Sequence, residues 1–223
     1  MKRVPTGQEF LASFDKALAE RTLSRAVKCR EAAAVTLNDR GAPEWTNALL
    51  NIVVSIGKNL GYDVYPSRYV LNATKRNSRY GEDGDVGEWL YDACWTRYPS
   101  NAGLVRHLRA VQSGEAKRHE RYLDLACESE WGGKTRDLHV QAVVDDFAKL
   151  VECRAPLKVM IFGYHKSGEG SFEDLVGMLG ALAQSDSVRA DYVLLGWEDS
   201  ARWAERMERR ASTVINVSQP DRA

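Results

Sequence analysis

The run LKVMIFGY at residues 157–164 constrains the fold more than any other stretch of this chain. It is continuously apolar over the length of one strand, the pattern of a strand covered on both faces. Upstream, DLHVQAVVDDFAKLVEC places Val140, Val143, Val144, Phe147, Leu150 and Val151 on one helical arc. Gln141, Asp145 and Lys149 fall on the far side, where lysine is expected to be solvated. Downstream, Ser171 stands where it can cap FEDLVGMLGALAQ, and DYVLLGW supplies a further strand. Helix, apolar strand, helix and strand in this order predict an α/β architecture with helices packed on a sheet.

The first part of the chain carries the rest of that layout. TGQE at 6–9 has capping-box spacing, and Phe10, Leu11, Phe14 and Leu18 follow at helical intervals. A second helix is expected from about Thr22 to Val35, ended by the loop NDRGAP. Pro43 suits the first turn of a third helix, with Glu44 beside it and Gly61 where the helix stops. YDVYPSRYVL reads as a strand interrupted by Pro66, which suits an edge. SARWAERMERRA reads as a last helix and STVINV as a short final strand. One domain spanning 1–223 is expected, with a helical extension at 1–41, a core at 43–165 and additions at 166–223.

Two strands carry carboxylates in unusual places. EWLYDACW alternates so that Glu88, Leu90, Asp92 and Cys94 share one face, which puts an acid inside an aromatic-rich strand. In YLDLACESEWGG, residues two apart lie on one face roughly 6.8 Å from each other. Asp124, Ala126, Glu128 and Glu130 therefore line one side, and Leu123, Leu125 and Cys127 the other. Carboxylates that close repel and raise at least one pKa unless a cation sits between them.

Composition narrows the function classes. The 31 basic residues equal the 31 acidic ones, so no overall basic excess advertises a polyanion partner. Basic residues do cluster locally, at Arg68, Lys75, Arg76 and Arg79 and at Arg106, Arg109, Lys117, Arg118 and Arg121. No apolar run reaches membrane-spanning length and MKRVPTGQEF has no hydrophobic signal region, so a cytoplasmic protein without a membrane partner is expected. Cys29, Cys94, Cys127 and Cys153 form no CxxC pair and are expected as reduced, buried thiols rather than zinc ligands. The Gly-rich GYHKSGEGS lacks phosphate-loop spacing and reads as an ordinary strand-to-helix connection. His107, His119, His139 and His165 are scattered, with no nucleophile arranged beside them.

An initial helix bearing Glu44, a strand carrying Asp92, a strand ending in Glu128-Ser129-Glu130, then a helix and a buried strand resemble the PD-(D/E)xK nuclease superfamily. The resemblance covers roughly residues 43–165, with EWLYDACW, ACESEWGG and DDFAKLVECRAPLKVMIF as its best-matching pieces. It implies a restriction-endonuclease-like mixed central sheet flanked by helices. Asp92 would be the motif aspartate and Glu128 the first acid of the paired motif. Glu130 stands where most members have lysine, a departure that some restriction enzymes share. Glu44 matches an additional glutamate on the first core helix.

The resemblance implies a Mg²⁺-dependent (or Mn²⁺-dependent) nuclease that hydrolyses phosphodiester bonds in DNA. Asp92, Glu128 and the Ser129 carbonyl would hold the ion, a set of hard oxygen donors. Glu130 would bind or orient the attacking water, and Glu44 would help fix a second ion or the first one's water shell. DNA and a second copy in a homodimer are the implied partners. The alternative expectation is a catalytically inactive module of the same fold, serving in binding or assembly.

Overall fold

A computed structural model describes residues 3–31, 42–65, 91–96, 101–115, 123–131, 135–199 and 209–218. Only the backbone is described at 21–31, 42–45, 47, 65 and 101–104. The first helix, α1, runs Gly7–Glu31 without a break. Its start is the expected capping box: the Thr6 amide donates to Glu9 Oε2 at 2.8 Å, and the Glu9 amide to Thr6 Oγ1 at 3.3 Å. Two helices were expected here, with the second starting near Thr22. They are one because no Gly or Pro interrupts residues 8–31.

Helix α2 (Ala42–Asn59) ends at Gly61, whose φ of 78° supplies the left-handed turn that residues with a Cβ resist. The Tyr62 amide bonds the Gly57 carbonyl and the Gly61 amide that of Lys58, a Schellman closure. Gly57 has a second reason to lack a side chain. A Cβ there would lie 2.4 Å from the indole nitrogen of Trp95, which donates to the Val53 carbonyl at 3.1 Å.

Strands β1 (Asp63–Tyr65), β2 (Ala93–Thr96) and β3 (Leu123–Glu130) form an antiparallel meander, with helix α3 (Asn101–Gln112) in the chain between the last two. Helix α4 (Arg136–Glu152) then leads to β4 (Leu157–Tyr164), parallel to β3. Helix α5 (Phe172–Ala183) leads to β5 (Ala190–Glu198), parallel to β4, and β6 (Arg210–Val217) closes antiparallel to β5. Among the described residues, six strands lie in chain order in one mixed, open sheet.

Alternation divides the core into two layers. Leu125, Cys127, Val159, Ile161, Val193 and Leu195 face α1 and α2, meeting Phe10, Phe14, Leu49, Leu50 and Val53. Ala126, Met160, Phe162, Tyr192 and Leu194 face α4 and α5, meeting Val143, Phe147, Leu150, Leu175 and Leu179. Both faces of β4 are therefore covered, as its unbroken apolar run requires.

Three boundaries differ from expectation. The strand expected over 88–95 begins at Ala93, and Tyr91 and Asp92 form the bend before it; residues 88–90 lie outside the described residues. The strand expected over 62–71 is described only at Asp63–Tyr65. The last helix was expected to reach Ala211, but β6 begins at Arg210, because Arg210 and Ala211 pair with Trp197 and Gly196 on β5. Among the described residues, no helix is long and apolar enough to cross a membrane.

Candidate functional site

The antiparallel register of β2 on β3 decides which acids meet. Ala93 lies opposite Cys127, and Asp92, in the bend just before it, comes near enough to Glu128 for its charge to act on that carboxyl. Ala126 packs in the α4/α5 layer, and Glu128, two residues on, shares its side of the sheet. Asp92 is fastened there by β3 itself: its Oδ2 accepts from the Ser129 amide at 2.9 Å and from Ser129 Oγ at 2.6 Å. Its Oδ1 is left outside both bonds. In a strand, a residue's amide and carbonyl point to the same edge, so the Ser129 carbonyl also faces the Asp92 side.

Glu128 is the frustrated member. It is only 3 % exposed, and its Oε1 is buried with no hydrogen-bond partner. Burial pushes its carboxyl up to about 8, and the Asp92, Asp146 and Glu130 charges push the same way, while Lys149 pulls down. The expected repulsion between clustered carboxylates thus lands on Glu128. Cys127, fully buried next to it, has its thiol raised by burial first and by the charges of Asp92 and Glu128 next. Tyr91, at the bend before β2, is likewise raised, chiefly by burial, with Cys153 and Glu128 adding.

The last turns of α4 cover this corner of the sheet. Lys149 Nζ bonds Asp146 Oδ1 at 2.6 Å, one turn back on the same helix. Its side chain is 42 % exposed, and its pKa is raised by Asp146 first, with Glu128 and Asp92 contributing. Lys149 is exposed, as expected of a solvated face, and also lies within electrostatic reach of both acids. The helical wheel placed it opposite the apolar stripe, but α4 crosses the sheet so that its last turns overhang the strand ends where Asp92 and Glu128 stand.

Of the expected site residues, Asp92, Glu128 and Ser129 come together, and Glu130 lies one pleat further along β3 on the same side. Glu44 falls in the first turn of α2, but its side chain lies outside the described residues. The apolar residues of α2 pack on the opposite face of the sheet from Glu128. Of the basic segments, Arg106 and Arg109 are exposed on α3, and the others lie outside the described residues. Cys94, Cys127 and Cys153 are buried thiols outside any disulfide, as expected.

Among the described residues, no three His, Cys, Asp or Glu side chains are grouped to hold a metal ion. Mg²⁺ does not demand such a cage, since it commonly takes one or two protein carboxylates and keeps several waters. Two neighbouring carboxylates, one with an orphaned buried oxygen, beside a backbone carbonyl fit that modest requirement.

Two further polar clusters escaped the sequence. His139 is buried, with Nε2 3.0 Å from the Gly163 carbonyl and Nδ1 3.6 Å from Asp199 Oδ2. Its ring centroid lies 4.7 Å from that of His165. The three residues sit on three elements, so no spacing rule joins them. Lys158 is fully buried on β4, with Nζ 2.5 Å from Asp186 Oδ2, 3.1 Å from the Tyr192 hydroxyl and 3.3 Å from the Val151 carbonyl. A lysine inside an apolar run was its available signal. The connection at 165–171 is an ordinary one: Ser171 Oγ caps α5 by accepting from the Asp174 amide, and the Gly170 amide donates to Asp174 Oδ2. Comparison with protein-family models, with curated proteins and with solved structures finds no match to this chain.

Proposed function

We propose that the protein is a Mg²⁺-dependent nuclease acting on phosphodiester bonds of DNA, a divergent member of the PD-(D/E)xK superfamily with a restriction-endonuclease-like fold. The observation that carries this reading is the closeness of Asp92, bound to Ser129 of β3, to Glu128, with Glu128 Oε1 buried and unbonded. The layout agrees: a helix, three antiparallel strands, a crossover helix and a parallel strand, with the acids at the middle of that series.

Asp92 Oδ1, Glu128 Oε1 and the Ser129 carbonyl are the oxygens that would hold the ion. When bound, a divalent cation would supply charge to polarise a phosphoryl oxygen and would make its bound water more acidic. Glu130 accepts a proton from, and orients, the attacking water. Lys149 takes the part that its absence from position 130 leaves open, presenting a cation to the phosphate beside the two acids. Ser129, through its two bonds to Asp92, holds that carboxylate against Glu128.

Plasmid and single-stranded DNA incubated with Mg²⁺ or Mn²⁺ test the proposal. Cleavage by the wild-type chain, abolished in Asp92→Ala and Glu128→Ala and reduced on the order of a hundredfold in Lys149→Ala, is expected. Cleavage that persists in both acid variants rules this site out. The second reading, a non-catalytic binding or assembly module of the same fold, draws on the depth of Glu128 and the even charge balance. It is favoured if metal binds with no cleavage of either substrate.

A further inference from the structure

The two edges of the sheet are treated differently by the sequence. At one edge of the described sheet, β1 contains Asp63, and Pro66 follows its described residues in the sequence. A charge and a proline are among the usual guards against pairing with a foreign strand. At the other edge β6 is eight residues long, and from Ala211 to Val217 it reads ASTVINV, without charge or proline. Its inner edge is fully paired with β5, from Ala190–Val217 to Trp197–Arg210. Among the described residues, nothing hydrogen-bonds to the outer edge of Ala211–Val217. Among the described residues, alternate amides and carbonyls along that edge therefore have no partner.

We propose that β6 is a self-association edge, at which a second copy of this chain adds its own β6 antiparallel and continues the sheet across a two-fold axis. Self-pairing suits this strand in three respects. An antiparallel pair of identical strands matches donor rows to acceptor rows without any other sequence, exchanging up to about eight hydrogen bonds over this length. The neutral stretch brings no like charges together at the seam, and the chain's even charge balance adds no net repulsion. The core layers also continue: Val214 packs with the α1/α2 layer and Ile215 with the α4/α5 layer, so a two-fold seam sets like layer beside like layer. Isolated strand pairs are weak, but here each β6 is already anchored in a six-stranded sheet.

Sedimentation equilibrium of the full chain over a wide concentration range, with amide hydrogen exchange, tests this. The expected result is a species of twice 25.0 kDa, with β6 amides whose protection rises as the dimer forms. Ser212→Lys combined with Asn216→Lys, and the milder Asn216→Lys alone, should shift the equilibrium to monomer while circular dichroism stays unchanged. Three outcomes overturn the proposal: a monomer at every concentration, a dimer whose β6 amides exchange freely, or a dimer untouched in both folded variants. A monomer with protected β6 amides would also overturn it, since the chain itself would then cover the edge.

Discussion

Two buried charged groups stand on neighbouring strands and the same face of one sheet, and they are solved in opposite ways. Lys158 on β4 lies beside Ala126 of β3, two positions from Glu128. Its ammonium meets a carboxylate, a hydroxyl and a carbonyl, and the Tyr192 hydroxyl donates in turn to Asp186 Oδ2 at 2.7 Å. Each of its three protons has an acceptor. Glu128 is nearly as buried yet faces another carboxylate and keeps an oxygen without a partner. The first cluster is complete without any ligand; the second is completed only by a proton or a cation. That difference separates a structural ion pair from a site.

The comparison breaks most visibly under substitution. Lys158→Met leaves Asp186 buried without its cation, and we expect it to destabilise the protein by about 3–5 kcal/mol in denaturant unfolding. Glu128→Gln should act in the opposite direction. The folded-state pKa of about 8 lies above the 4.5 of an unperturbed glutamate. The folded state therefore holds a proton that the unfolded state has lost between those values, and stability falls as pH rises through that window. Glutamine mimics the protonated form and escapes this loss. Without metal, Glu128→Gln should exceed wild type by on the order of 3 kcal/mol at pH 9, with little difference at pH 4. A destabilised Glu128→Gln at pH 9 would place Glu128 with Lys158, as a structural group.

A smaller effect, of opposite pH sense, belongs to the histidine pair. Burial lowers the pKa of both His139 and His165; the Gly163 carbonyl opposes this at His139 and the Asp199 charge opposes it at His165. The unfolded state then binds protons first as pH falls below the ordinary histidine value. Stability is present above that value and lost below it. In the Glu128→Gln background, where the larger carboxyl effect is removed, the melting temperature should drop between pH 7 and pH 5, and adding His139→Gln should flatten that drop. An unchanged slope in the variant would assign the loss to other groups.

Much of this arrangement was legible in the sequence, for identifiable reasons. Strand alternation assigned Glu128 and Glu130 to one face, and apolar continuity marked β4 as central, because both signals are local and have a fixed period. The capping box at Thr6 and Glu9 and the stop at Gly61 were legible for the same reason. The proximity of Lys149 to the acids was not, since it depends on how α4 crosses the sheet. Nor was the pairing of His139 with His165 and Asp199, or of Lys158 with Asp186, which join separate elements. The expected second helix from Thr22 merges into α1 because no Gly or Pro stands between residues 8 and 31 to end the first.

The central physical claim is that the Asp92–Glu128 pair is built for a divalent cation. Titration calorimetry of the wild-type chain and of Glu128→Gln with Mg²⁺ and with Mn²⁺ measures this directly. Saturable binding to the wild type that disappears in the folded variant is predicted. No heat of binding in the wild type, or equal binding in both proteins, would contradict it.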